Sequence, residues 1–400
     1  MRLFLNSTTI LAACFCMSIS NGLNAKIVWN KDLVSDANTN SAPLASSLNK
    51  DGNGVIVMTL ECPKGYFPTA GDCVLWEVGA DGSATRISPK NTEGETIQTN
   101  ANPVGPGCAI ASDSFGNLLT AGISSGQKAE RKLAMISKDE KTGTIMSSRD
   151  NIESHSIKKM LSLPDNMFAL VGDRNGDGLC MLIDNQGKIM KEKPFDMDQR
   201  EILTDVDRME SNNRNLAVVG ISFNISTKIP AESSAKNLVL ICDSNLNIIH
   251  EDYFTEVIPG LLFPKVCCLD NGNMVVVYIK ESTGSKTRSW ARCYTKELIL
   301  LWEKEIFVAD KFLFSFDVTL SVSGGFVVGT VEEECLGVYF LDKDGTRVDY
   351  AQYKSTQGGT FGVAGFNLMR VNGRTIIVFK EGSAGNIKEC TIKTKVIALD

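Results

Sequence analysis

Short apolar segments that follow turn-forming residues recur along the chain. Each begins with residues rich in Gly, Asn or Asp and continues into a run of β-branched or other apolar residues, which often ends in glycine. Turn residues that flank a short apolar run are typical of a buried β-strand. Seven such segments occur, spaced about 50 to 60 residues apart as in one propeller blade: 50–58, 114–122, 164–172, 212–220, 270–278, 321–329 and 371–379.

A second pattern follows the first: an apolar strand, a short polar turn that begins with Asp, and another strand. Its clear copies are 74–84, 180–190, 239–249 and 338–348. Asp accepts hydrogen bonds from its own turn and Gly supplies a positive φ, so these segments predict hairpins. With a preceding strand such as 157–163, each repeat has four strands. The sequence therefore predicts an all-β fold, a seven-bladed β-propeller with four antiparallel strands per blade.

The two ends of the chain predict how this ring closes. Residues 395–400 correspond to the third strand of a blade, and no fourth strand follows them. Residues 26–31, which contain Trp29, match 300–304, which contain Trp302. Because a ring must pair its edges, we expect the N-terminal strand to complete the last blade. Residues 26–400 should then form one domain.

The first 25 residues read as a secretory signal peptide. Arg2 precedes an apolar stretch at 10–19 that is too short to span a bilayer, and 23–25 suits cleavage. We therefore expect a secreted, periplasmic or cell-envelope protein without a transmembrane segment. An alternative is lipidation at Cys14, because 11–14 resembles the bacterial lipobox.

Three segments of the repeat, 175–187, 300–304 and 324–329, resemble the DGG-F/Y…LDxxG…W repeat of secreted bacterial β-propellers. The resemblance covers 26–400 and implies the fold. It implies no activity, because the members of this group share none. A second likeness is to quinoprotein-like propellers, which have a regular tryptophan in each blade. The chain has only 4 Trp.

Composition excludes several classes of function. Hydrophobic residues at 43% and charged residues at 22% are typical of a globular protein. A net charge of −6, with no basic cluster, argues against nucleic acid as a partner. The two histidines, His155 in a predicted connecting loop and His250 in an outer strand, offer little for a catalytic triad or a His-rich metal site. We assign no catalytic residue.

A calcium site is one interpretation of the segment from Asp173 to Asp184. Asp173, Asn175 and Asp177 alternate as in a calcium-binding loop, and Asp184 stands at the twelfth position. A plain hairpin is the alternative, because a glutamate is usual at that position and Asp184 matches the Asp of the repeated turn.

Two cysteines flank a loop rich in Pro and Gly. In an oxidising compartment, Cys62 and Cys73 are expected to form a disulfide across it.

The long segments 61–73, 90–107, 222–237, 280–290 and 354–365 should all lie on one face of the ring. Long loops on a rigid scaffold favour binding, and Tyr66, Phe67 and Trp290 are candidate contacts. Asp205 and Asp207 are two further candidate ligand-binding residues, expected on one face of an innermost strand that lines the central channel. As paired carboxylates they suit acid/base chemistry, and solvated walls of the channel are the alternative. We therefore expect an exported, monomeric, non-catalytic binding or scaffold protein that holds a protein or a glycan at this face. The alternative is a carbohydrate-active hydrolase or lyase with carboxylates on the same face.

Overall fold

The computed structural model describes residues 25–64, 66, 71–90, 98–99, 108–123, 132–139, 142–149, 155–195, 200–209, 215–223, 235–257, 263–283, 286–309, 313–332, 335–355, 360–382 and 391–400. Nearly all of these residues lie in β-strands or the turns between them. The predicted signal peptide and Cys14 lie outside these ranges, except that Ala25 is described.

Seven four-stranded antiparallel blades form a ring, as predicted. Each blade is given from its innermost to its outermost strand. Blade 1 contains β2 (Thr39–Leu48), β3 (Gly54–Pro63), β4 (Gly71–Gly79) and β5 (Ala84–Lys90), with the short β6 (Gln98–Thr99) beside β4. Blade 2 contains β7 (Ala109–Ser112), β8 (Leu118–Ile123), β9 (Lys132–Asp139) and β10 (Thr142–Arg149). Blade 3 contains β11 (His155–Leu163), β12 (Met167–Arg174), β13 (Asp177–Ile183) and β14 (Ile189–Phe195).

Blades 4 to 7 repeat this order. Blade 4 contains β15 (Arg200–Arg208), β16 (Leu216–Phe223), β17 (Ala235–Cys242) and β18 (Ile248–Val257). Blade 5 contains β19 (Lys265–Cys268), β20 (Met274–Thr283), β21 (Lys286–Tyr294) and β22 (Leu300–Ala309). Blade 6 contains β23 (Leu313–Leu320), β24 (Phe326–Glu332), β25 (Cys335–Leu341) and β26 (Arg347–Lys354). Blade 7 contains β27 (Thr360–Val371), β28 (Arg374–Gly382), β29 (Ile392–Leu399) and β1 (Ile27–Leu33).

The N-terminal strand closes the ring. β1 pairs antiparallel with β29, which places Trp29 opposite Ala398 and Lys31 opposite Val396. The outermost strand of blade 7 therefore comes from the beginning of the chain, as the sequence predicts. This pairing covers an edge of the last blade that would otherwise be exposed.

The hydrophobic core lies between the blades. Seven buried clusters each join residues of two neighbouring blades. Each cluster draws on the alternate apolar residues of the middle strands, because a strand within a blade presents one face to each neighbour. The ring is therefore stabilised by its seams.

The outer part of two seams is formed by a tryptophan that packs on a turn glycine. Trp29 of blade 7 lies against Gly82 of blade 1, and its indole Nε1 donates to the carbonyl of Ala80 at 2.9 Å. Trp302 of blade 5 packs in the same way on Gly345 of blade 6. We call these two contacts the outer seams. They confirm the structural equivalence of 26–31 and 300–304.

Glycines at the end of the repeated strand have a packing role. Gly172 and Gly220 lie directly opposite a bulge in the innermost strand of their blades, where a Cβ atom would collide with backbone carbonyls. The residues that follow these bulges are Lys159 and Asp205. The bulge thus sets which innermost side chains lie at this level of the channel.

One connection between blades was not predicted. Thr142–Thr144 of β10 pair in parallel with 88–90 of β5, so the outer edges of blades 1 and 2 are joined by backbone pairing. The sequence repeats predict four strands per blade but contain no signal for pairing between blades.

The alternation of strand direction gives the ring two faces. The loops between second and third strands, and the connections to the next blade, lie on one face, which we call the loop face. The tight turns between first and second strands, and between third and fourth strands, lie on the other, which we call the turn face.

Candidate functional site

Asp205 and Asp207 lie on β15, the innermost strand of blade 4, and both bond to blade 5. Asp205 Oδ2 accepts the amide of Val266 at 3.0 Å, and Asp207 Oδ2 accepts the amide of Cys268 at 2.7 Å. Asp207 Oδ1 also accepts the amide of Arg208 at 2.8 Å. These carboxylates connect neighbouring blades.

Blade 6 repeats this arrangement. Asp317 Oδ2 accepts the amide of Leu368 in blade 7 at 2.8 Å, and Lys265 Nζ lies 3.9 Å from Asp317 Oδ1. We call the contacts made by Asp205, Asp207 and Asp317 the inner seams. They satisfy backbone donors in the centre of the ring that no strand pairing reaches.

The environment of Asp207 raises the pKa of its carboxyl group. Burial raises the pKa of Asp207 to about 6, although the amide hydrogen bonds from Cys268 and Arg208 lower it. Burial also raises the pKa of Asp205, opposed by the charges of Lys265 and Lys159. Desolvation disfavours the charged forms of both carboxyl groups.

Lys159 was not singled out from the sequence, although it occupies the middle of the channel. It belongs to β11 of blade 3, and its ammonium lies 3.4 Å from Asn367 Oδ1 in blade 7 and 4.0 Å from Asp205 Oδ1 in blade 4. Blades 3 and 7 are not neighbours, so this side chain crosses the channel. Burial lowers the pKa of Lys159, but the carboxylates of Asp317, Asp205 and Asp207 outweigh it and raise that pKa overall, which keeps the ammonium charged.

A cavity of about 1150 Å³ extends from this level of the channel to the turn face. The innermost strands of all seven blades line it. Its lining includes four basic and five acidic residues: Lys50, Lys159, Arg208 and Arg370 with Asp113, Asp165, Asp205, Asp207 and Asp270. The charges therefore nearly balance.

On the loop face, Tyr66 is the candidate contact that the structure exposes. Its side chain is 69% exposed. Its carbonyl accepts a hydrogen bond from Asn40 Nδ2 at 3.0 Å, and Asn40 Oδ1 accepts the amide of Ile392 at 2.9 Å. Asn40 lies near the start of the innermost strand β2, so Tyr66 is held at the loop-face end of the channel. Phe67 lies outside the described residues.

Trp290 is not part of this surface. It lies in the middle of β21 in blade 5, opposite Tyr278 and Glu305, and it is half-buried. Lys280 Nζ lies 4.2 Å from the centre of its ring. Packing within the blade therefore accounts for this tryptophan.

The four residues of the predicted calcium site do not come together. Asn175 and Gly176 form the tight turn between β12 and β13, with Asp173 and Asp177 beside it. Asp184 lies at the opposite end of β13, where its Oδ1 accepts the amides of Gln186 and Lys188 at 2.9 and 2.8 Å. Within the described ranges, no group of three acidic, Cys or His side chains is arranged as a metal site. The geometry is that of two ordinary turns.

Cys62 and Cys73 are both free, buried thiols. Cys73 lies opposite Leu60 on β3, so the two cysteines are diagonal neighbours on adjacent strands. Their disulfide stays a prediction. Of the histidines, His250 lies on the outer strand β18 as expected, whereas His155 begins β11 instead of lying in a connecting loop.

In the part of the chain that the structure describes, no helix is both long and apolar enough to cross a membrane.

No protein-family model and no curated protein sequence matches the chain. Solved structures do resemble it. A protein of unknown function from Dyadobacter fermentans superposes with a TM-score of 0.53 at 11% identity, covering 94% of this chain and 99% of that one. A Lactobacillus plantarum protein gives a TM-score of 0.50 at 14% identity, covering 90% and 100%. The polysaccharide lyase Uly1 gives 0.52 at 9% identity, covering 96% and 94%.

At such low identity these likenesses show a shared fold and nothing finer. The two sequence resemblances, to secreted bacterial repeats and to quinoproteins, have no matching family model behind them. The chain is a seven-bladed β-propeller.

Proposed function

We propose that this protein is an exported, monomeric binding propeller that holds a protein or a glycan at its loop face without catalysing a reaction. The observation that supports this role best is Tyr66, an aromatic side chain 69% exposed on a backbone fixed by Asn40. A large exposed aromatic ring on a fixed backbone can stack on a sugar or pack into a protein pocket, and it has only two rotatable side-chain bonds to immobilise.

The bonding of the channel carboxylates supports binding over catalysis. Asp205, Asp207 and Asp317 each accept a backbone amide of the next blade. A general acid or base must reach the proton that it transfers, and in each of these carboxyl groups Oδ2 is occupied in holding the ring together.

A carbohydrate-active hydrolase or lyase is the second candidate. One observation favours it: the pKa of Asp207 is raised to about 6, within the range that suits a general acid near neutral pH. Both of its oxygens accept amides, however, so this candidate requires the carboxyl group to leave blade 5.

Two exposed aromatics on opposite faces provide a matched test. Tyr66 lies on the loop face, and Phe115, 66% exposed, lies in a tight turn of the turn face. Wild type, Tyr66→Ala and Phe115→Ala proteins are applied to a glycan array and used for pull-down from the secreted fraction of the source. We expect Tyr66→Ala to weaken the ligand signal by about tenfold or more, and Phe115→Ala to leave it unchanged.

Binding at the loop face would be refuted if Tyr66→Ala gave the same ligand signal as wild type. It would also be refuted if only Phe115→Ala lost the signal. Cleavage products released from a retained glycan, and lost in Asp207→Asn, would establish the second candidate instead.

A further inference from the structure

The cavity on the turn face is separate from the surface around Tyr66. It extends from the level of Lys159 and Asp205 to the tight turns, and its volume is about 1150 Å³. Sites for small ligands typically measure about 300 to 1,000 Å³. The cavity is therefore large enough to hold a small molecule together with bound water.

Its inner end is built from fixed polar groups. Asn367 Nδ2 donates to the backbone carbonyl and to the hydroxyl of Ser46, both at 3.1 Å. The amide oxygen of Asn367 is thereby turned toward Lys159, whose ammonium lies 3.4 Å away. Asp205 is held in turn through Oδ2 by the amide of Val266. These three side chains belong to blades 7, 3 and 4, so the rigid ring positions all of them.

This end of the cavity has unused hydrogen-bonding capacity. Asp205 is 3% exposed, and its Oδ1 accepts no hydrogen bond from the residues that the structure describes. Lys159 Nζ lies 4.0 Å from that oxygen, which is an ion-pair distance but too long for a hydrogen bond. An ammonium group has three donors, and among the described residues only Asn367 offers this one an acceptor within hydrogen-bond distance. A buried acceptor without a partner and a donor that is only half-buried therefore stand side by side in the cavity wall, where a ligand hydroxyl between them would bond to both.

The charges of the cavity identify the class of ligand. A carboxylate or phosphate would meet the carboxylates of Asp205 and Asp207, and an amine would meet the ammonium of Lys159 and the guanidinium of Arg208. Basic and acidic side chains nearly cancel around the lining, so neither sign of charge is favoured. A hydroxyl group both donates and accepts, and two adjacent hydroxyls match an acceptor beside a donor.

We propose that the turn-face cavity is a binding site for a small neutral polyhydroxylated molecule, a monosaccharide or polyol, with vicinal hydroxyls bridging Asp205 Oδ1 and Lys159 Nζ. This site does not depend on the function proposed for the loop face.

Saturation-transfer NMR on the whole protein tests the site. The probes are glucose, galactose, N-acetylglucosamine and myo-inositol, with gluconate and glucosamine as charged analogues of glucose. We expect at least one neutral probe to bind, and both charged analogues to bind at least about tenfold more weakly than it does.

Matched variants locate the binding. Asp205→Asn keeps an oxygen for the amide of Val266 but puts an NH2 group in place of the free acceptor Oδ1. Lys159→Met removes the ammonium donor. Each should weaken binding by about tenfold or more, because a buried polar partner is left unpaired. Asp342→Asn is the control, since Asp342 is an aspartate in a tight turn of the turn face but does not line the cavity. Asp342→Asn and Tyr66→Ala should bind as wild type does.

Melting curves show whether each variant folds. If Asp205→Asn does not fold, the binding measured with Lys159→Met tests the site. Three results would overturn the site: no neutral probe binds the wild type, a charged analogue binds as well as the neutral one, or the cavity variants bind as the controls do.

Discussion

Neighbouring blades are joined in two chemically different ways, one beside the central channel and the other at the periphery of the ring. At the inner seams, buried carboxylates such as Asp317 accept single backbone amides of the next blade. At the outer seams, a tryptophan such as Trp302 packs on the glycine of a turn in the next blade. Buried polar pairs are costly to break, whereas apolar packing changes gradually with shape. Stability should therefore be sensitive to pH and to substitution of the aspartates at the inner seams. At the outer seams it should depend mainly on the volume of the packed side chains.

The largest expected effect is the loss of an inner seam. Asp317→Ala leaves the amide of Leu368 without its acceptor and Lys265 without its counter-ion. We expect the free energy of unfolding to fall by about 3 kcal/mol, because a buried donor and a charge lose their partner. Denaturant titration measures this loss. Asp317→Asn, which keeps an acceptor oxygen, should lose about 1 kcal/mol. Equal losses in the two variants would show that the hydrogen bond does not matter.

The inner seam at Asp207 should also make stability depend on pH. Its pKa is raised to about 6 from 3.8, so the folded protein holds the proton at pH values where the unfolded chain has released it. Its contribution to stability is therefore greatest below about pH 4 and decreases as the pH rises through 6, by about 2 to 3 kcal/mol. The difference in unfolding free energy between wild type and Asp207→Asn, measured from pH 4 to 8, isolates this contribution. A difference that does not change with pH would contradict it.

An exposed turn aspartate should respond in the opposite direction. Hydrogen bonds from Ser83 lower the pKa of Asp81. Asp81 therefore stabilises the fold above its unfolded pKa, and this contribution is lost as the pH falls through the lowered value.

A medium effect is expected at an outer seam. Gly345 has φ +75°, and a Cβ atom there would lie 2.8 Å from the ring of Trp302. We expect Gly345→Ala to cost about 2 kcal/mol, of which about half is the strain of a left-handed backbone. Gly324→Ala is the control, because its φ is +82° but no atom lies within 4 Å of the added methyl group. If both variants lower the melting temperature equally, Trp302 does not contribute to the seam.

The smallest effect should come from a turn that joins no blades through its carboxylate. Asp342 Oδ1 accepts the amides of Asp344 and Thr346 at 2.9 and 2.8 Å in an exposed hairpin. Asp342→Ala should cost about 0.5 to 1 kcal/mol, since water replaces these bonds. Thermal unfolding of Asp342→Ala is compared with that of Asp344→Ala. Asp344 is the reference because its side chain accepts neither amide in this fully described turn. A cost as large as that of Asp317→Ala would remove the distinction between the two kinds of aspartate.

The fold could be predicted because its signals are local and repeated. Each turn and apolar run marks a strand within one blade, and the likeness of Trp29 to Trp302 indicates which strand is missing from the last blade. The partners of Asp205 and Asp207 could not be predicted in this way. Their amides belong to Val266 and Cys268, 61 residues further along the chain, and periodicity shows which way a side chain points but not what it meets.

Lys159 could have been found from the repeat, because it follows a bulge opposite Gly172 as Asp205 follows one opposite Gly220. What it reaches, Asn367 on a distant blade, depends on the diameter of the ring. The calcium interpretation treated Asp184 as part of one loop, although the seven residues of β13 place it at the other face.

The pairing of β1 with β29 also determines when the molecule can finish folding. Among the strands that the structure describes, β1 is synthesised first and β29 last. Six blades can assemble while synthesis continues, but the seventh has to wait for its own third strand. Until then β1 lacks its partner, which gives chaperones and proteases an interval in which to act on the nascent chain.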